Sequence, residues 1–189
     1  MNPLARAWAR VLTWGSTGQE RALRFACDEF TGPTADALYR AVTVNAPPAV
    51  VFRWLCQLRA GPYSYDWIDN LGRRSPRTLT PGLDRLQNGQ RVMTIFRLAA
   101  FEPGRHITAV LDSTRIPSGK LAVTYLLVPE AGEGCRLVVK IAFTYPCSPV
   151  GTAMRILLPA GDLVMMRKQL LTLKALAERD AADPGPRPA

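Results

Sequence analysis

The sequence predicts an α+β fold in which a curved antiparallel sheet packs against one long C-terminal helix. Three observations carry that prediction. Four segments between residues 90 and 145 alternate apolar and polar positions and are joined by short turns. A fifth strand-like run, Tyr39–Ala46, precedes them and is separated from them by helical sequence. Near the C-terminus, Leu163, Met166, Leu170, Leu173 and Ala177 recur at spacings of three and four, an amphipathic helical stripe.

The elements follow in chain order. "YRAVTVNA", Tyr39–Ala46, alternates and is rich in β-branched residues, so it reads as a strand. Pro47 and Pro48 stop it, and proline suits the first turn of the helix Ala49–Leu58 that follows. Val50 or Val51, Trp54 and Leu58 make its apolar stripe, and Gly61–Pro62 ends it. A short helix is expected over Asp66–Leu71, with Asp66 as its cap, Asp69 in the first turn and Gly72 at C′. Strands are then expected at Gln90–Phe101, Arg105–Asp112, Lys120–Val128 and Cys135–Tyr145, linked by "EPG", "SGK" and "PEAGEG". Such short links join antiparallel neighbours. In the last strand Leu137, Val139, Ile141, Phe143 and Tyr145 share one side, while Arg136, Lys140 and Thr144 share the other. That pattern predicts one buried and one solvated face. Ser148–Pro149 opens the final helical region, which is expected to be disturbed around Pro159 and Gly161 and regular from about Asp162 to Asp180.

With 189 residues, 48% of them hydrophobic and 21% charged, the chain has material for one core. The expected organisation is a partly helical N-terminal extension over residues 1–38, one domain over 39–180, and a tail over 181–189 disordered by composition. No apolar run reaches the ~20 residues of a membrane span. The N-terminus lacks the continuous apolar core of a signal peptide, so a cytoplasmic location is expected. Leu4, Trp8, Val11 and Leu12 fall on one helical face and no acid occurs before Glu20, the pattern of a helix that packs on the domain or makes weak membrane-surface contact.

The net charge of +9 is scattered in ones and twos, so no nucleic-acid partner is expected. Arg73, Arg74, Arg77, Arg85, Arg91, Arg97 and Arg105 face only Asp84 and Glu102 within their stretch, a basic region suited to a solvated face or to an acidic protein partner. Cys27, Cys56, Cys135 and Cys147 are too widely spaced for a zinc or redox motif, and no metal or cofactor is expected. Phosphate-loop, dinucleotide and nucleophile-elbow fingerprints are also missing. His106 is the single histidine, which excludes multi-histidine metal sites.

A bent sheet closed by one helix tends to leave space between them, and apolar cavities are usual ligand sites. Trp54, Met93, Phe96, Phe101, Tyr125, Phe143, Tyr145, Met165 and Met166 are the candidate lining, or equally the core. Methionine adapts to varied ligand shapes. In "AGPYSYDWIDNLGRR", Tyr63, Tyr65 and Trp67 suit a half-wet cavity entrance, because each joins an apolar ring to a polar tip. Weak catalytic candidates are His106 as a general base, Asp66 as its carboxylate counterpart, and Arg97, which interrupts the apolar "MTIFRL" and would recognise a carboxylate or enolate if it pointed inward. A capping role for Asp66 and an outward Arg97 are the structural alternatives.

"YRAVTVNAPPAVVFRWLCQL" (Tyr39–Leu58) and the terminal "MMRKQLLTLKALAE" resemble the START-like superfamily, also called SRPBCC. "PYSYDWIDNLGRR" is similar to an uncharacterised bacterial branch of it. The resemblance spans residues 39–180 and implies a helix-grip fold, a curved antiparallel sheet wrapped round a long C-terminal helix with an internal hydrophobic cavity. It implies binding of a small hydrophobic or amphipathic ligand, lipid- or polyketide-like. A polyketide cyclase/dehydratase-type enzyme using His106 and Asp66 for proton transfer, or an interaction protein docking an acidic partner, are the alternatives, since one fold hosts many functions.

Overall fold

The computed structural model describes residues 2–32, 35–112, 120–145 and 148–183. Helix α1 (Pro3–Leu12) is capped by the Asn2 side chain, which accepts from the Leu4 N–H at 3.1 Å. Two single-turn helices follow, α2 (Gly18–Arg21) and α3 (Asp28–Thr31). Strand β1 (Asp36–Val44) leads into α4 (Pro48–Cys56), a 3₁₀ turn at Gln57–Arg59 and the short α5 (Asp66–Asp69). Strands β2 (Arg91–Val92), β3 (Phe96–Glu102), β4 (His106–Leu111), β5 (Leu121–Pro129) and β6 (Cys135–Phe143) come next, and α6 (Pro149–Ala182) ends the described chain. The strands form one antiparallel sheet in the order β1-β6-β5-β4-β3-β2. Strands β2 to β6 are therefore a five-stranded meander, and β1 pairs with β6 along nine residues. A register shift between Leu98 and Ala100 interrupts the β3–β4 pairing, and such bulges bend a sheet.

The inner face meets α4 and α6. Leu38 and Val42 of β1, Ile107 and Ala109 of β4, Val123 and Tyr125 of β5, and Leu137, Val139, Ile141 and Phe143 of β6 pack there against Trp54, Met166, Leu170, Leu173 and Ala177. The alternation in β6 thus assigns its inner side as expected, and the α6 stripe is the one the sequence displays.

The expectation of a solvated outer face is corrected. Residues 25–31 lie across it, and Phe25 and Cys27 form a second apolar cluster with Ala41, Ala122, Leu126, Val138 and Ala142. The outward residues of β1, β5 and β6 are small or aliphatic at these positions, so a short segment seals them. Thr124 on this face accepts the Cys27 N–H at 2.9 Å and shares a 2.8 Å hydroxyl contact with Thr108. Upstream, Arg136 binds Glu20 at 2.6 Å and the Gly15 carbonyl at 2.7 Å. Gly15 has φ +75°, and a Cβ there would meet the Ala41 carbonyl oxygen at 2.0 Å, so only glycine lets the chain cross β1 this closely.

Two further expectations change. The segment 90–101 is not one strand but two, because Met93 and Thr94 adopt left-handed conformations (φ 45° and 67°) and fold β2 back onto β3. The Met93 N–H is satisfied by the Leu58 carbonyl at 2.9 Å, which ties that turn to the 3₁₀ turn. And α6 runs unbroken through Pro159 and Gly161. Proline inside a helix removes one N–H and crowds the preceding turn, at a cost of about 3 kcal/mol. Here the buried Arg40 guanidinium donates to the Pro159 carbonyl at 3.3 Å and lies 2.8 Å from Asp162 Oδ2, fixing the turn against β1. Arg40 also donates to the carbonyls of Leu12 at 3.1 Å and Tyr39 at 2.8 Å. The far end of α6 is held by Trp54 Nε1, which donates to Asp180 Oδ2 at 3.0 Å. The expected helix boundary near Asp180 extends to Ala182, and residues 184–189 of the expected tail, the "SGK" turn and Cys147 lie outside the described residues.

Arg40 keeps three carbonyl acceptors without Asp162, whereas removing Arg40 leaves the Asp162 carboxyl in the interior without its cation. Urea unfolding should therefore show Arg40→Met costing about 3 kcal/mol and Asp162→Asn about 1 kcal/mol or less. Burial pushes the Asp162 carboxyl up to about 6, against the opposing pull of Arg40. The folded chain then binds a proton that the unfolded chain lacks between that value and the ordinary carboxylate range. This group's contribution to stability accordingly rises as pH falls from about 6 toward 4, and Asp162→Asn should lack that slope. Equal losses in the two variants would show instead that the ionised pair is what fixes the helix. At the other pin, Trp54→Ala should cost about 4 kcal/mol and Trp54→Phe about 1 kcal/mol. Near-equal losses would mean that the hydrogen bond, rather than the ring, holds α4 to α6.

Candidate functional site

The inner face of the grip carries polar groups among apolar ones at two levels. At mid-helix the Tyr125 hydroxyl donates to Gln169 Oε1 at 2.6 Å, and Gln169 Nε2 donates to the Pro62 carbonyl at 2.6 Å. Met93 Sδ lies 3.3 Å from both Tyr125 Oη and Gln169 Nε2, and Met166 Sδ lies 3.9 Å from the hydroxyl. Tyr125 and Gln169 are buried, so this chain connects β5, α6 and the segment after the 3₁₀ turn inside the protein. Burial drives the Tyr125 phenol far above its ordinary range, so it acts as a neutral donor.

Two turns nearer the start of α6 is Asp162, and Tyr145 follows β6 at that end. The Tyr145 ring stands edge-on to Phe143 with centroids 4.8 Å apart, and the Arg155 guanidinium lies 5.3 Å from its centroid. Its hydroxyl is buried and has no hydrogen-bond partner among the described residues. Burial raises this phenol to about 12, with the charges of Asp36 and Asp162 adding to the shift. Among the described residues the end of the grip here is only partly sealed. Met93, Phe96, Leu121 and Tyr145 pack on the core while remaining half-buried, and Met165 is half-buried on α6. Phe101 has the same half-buried character at the opposite end of β3.

Tyr63 also reaches the interior. It adopts φ 58°, donates its N–H to Ser75 Oγ at 3.0 Å and meets Trp54 edge-on at 6.0 Å. Its buried hydroxyl lacks a partner among the described residues, and burial raises it to about 12. The other two aromatics of that segment lie elsewhere. Tyr65 lines a groove on the outer side of α6, and Trp67 is 75% exposed. They do not join the interior, because α5 and the turn after it face outward: Trp67 and Ile68 of the helix and Leu71 beyond it are all exposed.

The three catalytic candidates are not brought together. His106 is on the outer face, since Ile107 is the inward residue beside it; it lines a groove of about 750 Å³ with Arg24, Glu29 and Arg105. Burial lowers its basicity, with Glu102 opposing. A strand's alternation therefore puts the sheet between His106 and the interior. Arg97 points outward as well, bound to Asp112 at 2.9 Å and to the Gly89 carbonyl at 3.1 Å. Asp66 accepts from the Ser75 N–H at 2.8 Å and from Ser75 Oγ at 2.5 Å, so it staples the loop to Ser75 and does not cap α5. Asp69 accepts from Ser64 Oγ, and burial raises its carboxyl.

The sequence reading missed Arg40, Asp162 and Gln169. Each interrupts an apolar side of its element, which is the one available signal: Arg40 lies between Leu38 and Val42, and Gln169 lies beside Met166 and Leu170. Among the described residues no cluster of three His, Cys, Asp or Glu side chains is placed to hold a metal. Cys27, Cys56 and Cys135 are buried free thiols raised to about 11, 12 and 11 by that burial, which makes them poor nucleophiles. No helix of the described residues is long and apolar enough to cross a membrane.

No family model matches this sequence, and no curated protein matches it. Solved structures do match. The Zhui aromatase/cyclase from Streptomyces sp. R1128 superposes over 80% of this chain and 98% of its own, with a TM-score of 0.53 and 17% identity. The di-domain aromatase/cyclase StfQ of the steffimycin biosynthetic pathway covers 78% of this chain and 52% of its own, at TM-score 0.48 and 16% identity. A member of the major latex protein family from Arabidopsis thaliana covers 74% and 94%, at TM-score 0.41 and 17% identity. With its six antiparallel strands and the long helix laid across them, this chain has the helix-grip fold of the START-like proteins.

Proposed function

We propose that the protein binds a small hydrophobic or amphipathic molecule, lipid- or polyketide-like, in a cavity between the sheet and α6, entered at the Tyr145 end. One observation carries the reading. Among the described residues the buried phenolic hydroxyl of Tyr145 has no hydrogen-bond partner, and the apolar end of the grip where it sits is incompletely sealed. A buried polar group left unpaired costs about 1–3 kcal/mol, so a protein retains one where something else completes it. A ligand oxygen accepting from Tyr145 supplies that partner, while Phe96, Phe143, Met93 and Met165 meet its apolar body. The two methionines adjust to the shape of the guest. Tyr125 and Gln169 form the floor of the site, and Tyr63 lies beyond them. The architecture shared with the Zhui aromatase/cyclase agrees with such an occupant.

The raised carboxyl of Asp162 favours a second reading, acid–base turnover of the bound molecule. A group titrating near 6 and neighbouring two phenols is suited to passing a proton. In that reading Asp162 takes the role the sequence suggested for His106 and Asp66, because it is on the inner side of the sheet and they are not. Docking an acidic protein through the arginines of residues 73–105 finds no comparable support: Arg97 and Arg105 are already paired with Asp112 and Glu102.

Thermal unfolding with a panel of fatty acids and flavonoids tests binding. A ligand at about 100 times its Kd adds about 2.7 kcal/mol, which for a domain of this size raises Tm by about 5–10 °C. Tyr145→Phe should lower the affinity about tenfold, and His106→Gln should leave it unchanged. Native mass spectrometry of the purified protein gives the independent check. Should no member of the panel move Tm, and no small molecule co-purify, the binding reading fails. Turnover of a bound polyketide abolished by Asp162→Asn, with binding retained, would establish the second reading.

A further inference from the structure

We propose that the outer side of α6, with α1 and α5 beside it, docks onto an anionic lipid bilayer surface. This inference concerns the opposite side of α6 from the interior and does not depend on the reading above.

The observation is an exposed apolar stripe on a helix whose other side already fills the core. Leu157, Val164 and Leu171 recur every seventh residue along α6 and are all exposed, Leu157 at 70%. Ala153 and Ala160 are exposed on the same stripe. A helix apolar on two sides is ordinarily buried on both; here the second side has no cover among the described residues. The stripe continues into a shallow groove of about 330 Å³, where Trp14, Leu163 and Tyr65 join it. Tyr65 closes the groove on the α5 side, and next to it α5 exposes Trp67, Ile68 and Leu71. Helix α1, which packs on α6, exposes Leu4 and Trp8.

Charge selects the occupant. From Pro149 to Ala177 the helix contains Arg155, Arg167, Lys168 and Lys174; Arg155 is paired with Asp36 and Lys174 with Glu178, which leaves Arg167 and Lys168 as the cations of the stripe, and the one acid in that stretch, Asp162, is held by Arg40. Arg167 and Lys168 line the groove itself. Helix α1 adds Arg6 and Arg10 and contains no acid. The two carboxylates of α5 are engaged with Ser75 and Ser64. A second copy of this chain would bring the same cations to the contact and no counter-charge. Anionic headgroups supply that charge, and the acyl boundary accepts leucine, valine and tryptophan projecting a few ångströms from a cationic surface. Tryptophan is also the side chain favoured at such an interface.

Vesicle flotation tests this, with phosphatidylcholine alone and with an equal part of phosphatidylglycerol, at about 0.05 and 0.5 M NaCl. The full chain should partition onto the anionic vesicles at least about tenfold better than onto the neutral ones, and should lose most of that at high salt. Leu157→Asp combined with Val164→Asp should abolish flotation, and Lys168→Glu should reduce it about tenfold. These side chains are exposed, so Tm reports whether each variant folds. Lys168→Glu keeps the test decisive if the double variant does not fold. The proposal is overturned if anionic vesicles leave the protein behind, if folded variants float as well as the original, or if flotation ignores salt and headgroup charge. It is equally overturned if sedimentation of the lipid-free protein shows a dimer that Leu157→Asp separates, since the stripe is then a contact between copies.

Discussion

Arg40 places a cation that no solvent reaches at the point where α6, β1 and the end of α1 converge. Moving a guanidinium out of water costs several kcal/mol, and the fold can hold it only by surrounding it with acceptors. The Tyr39, Leu12 and Pro159 carbonyls and the Asp162 carboxylate are those acceptors. They come from three stretches of chain, Leu12 from α1, Tyr39 from β1, and Pro159 and Asp162 from α6, so satisfying one side chain fixes three elements at once. Pro159 belongs to this arrangement. Its ring interrupts the helical ladder, yet its own carbonyl is directed at the buried guanidinium. The grip on α6 is then completed by Gln169 at mid-helix and by the Trp54–Asp180 bond near its end.

The sheet divides the molecule's chemistry into two compartments. On the inner side the polar groups are phenols, an amide, and one carboxylate paired with Arg40. On the outer side are His106, Thr108, Thr124 and Lys140, with Lys140 bound to Asp28 at 2.6 Å and lying 5.6 Å from the Phe25 and Tyr39 ring centroids. Residues 15–31 are part of this division. Through Arg136, Glu20 and Cys27 they turn what would be a wet face into a second, smaller core. The histidine that sequence composition brings forward, as the only one of its kind, therefore belongs to a compartment the grip does not share.

Periodicity made most of the architecture legible. The alternation in β6 and the three-four spacing in α6 report burial on one face, and burial is what the inner core enforces. Features set by tertiary partners left no such trace. Nothing local marks Met93 and Thr94 as a left-handed turn, because neither is a glycine; the Leu58 carbonyl holds the turn from outside it. Pro159 reads as a break in any single helix, since its compensation comes from Arg40, more than a hundred residues earlier. Val138 and Ala142 were legible as outward positions, but not that a segment near the N-terminus would cover them. The inward positions of the candidate site were legible in the same measure. Tyr125, Phe143, Tyr145 and Met166 follow from strand and helix period, while Arg40 and Gln169 look like ordinary polar interruptions until their partners are known. Trp67 was misplaced because an aromatic residue beside a turn gives no sign of which way a one-turn helix will face.

Asp162 also marks a change in the character of α6. After it, the apolar residues Met166, Leu170, Leu173 and Ala177 are turned to the sheet, and the charged ones lie toward water. Before it, Ile156, Leu157 and Leu158 are consecutive and all exposed, so no single face of the helix can bury them. Three consecutive apolar residues spread over most of the helix circumference, unlike the single stripe that repeats every third or fourth position in the C-terminal half. The N-terminal half of α6 thus follows a different rule from the C-terminal half. The C-terminal half is shaped by the sheet beneath it. The N-terminal half reaches past the well-packed part of the grip, over the end where Tyr145 lies, and its Ile156, Leu157 and Leu158 side chains find no cover among the described residues.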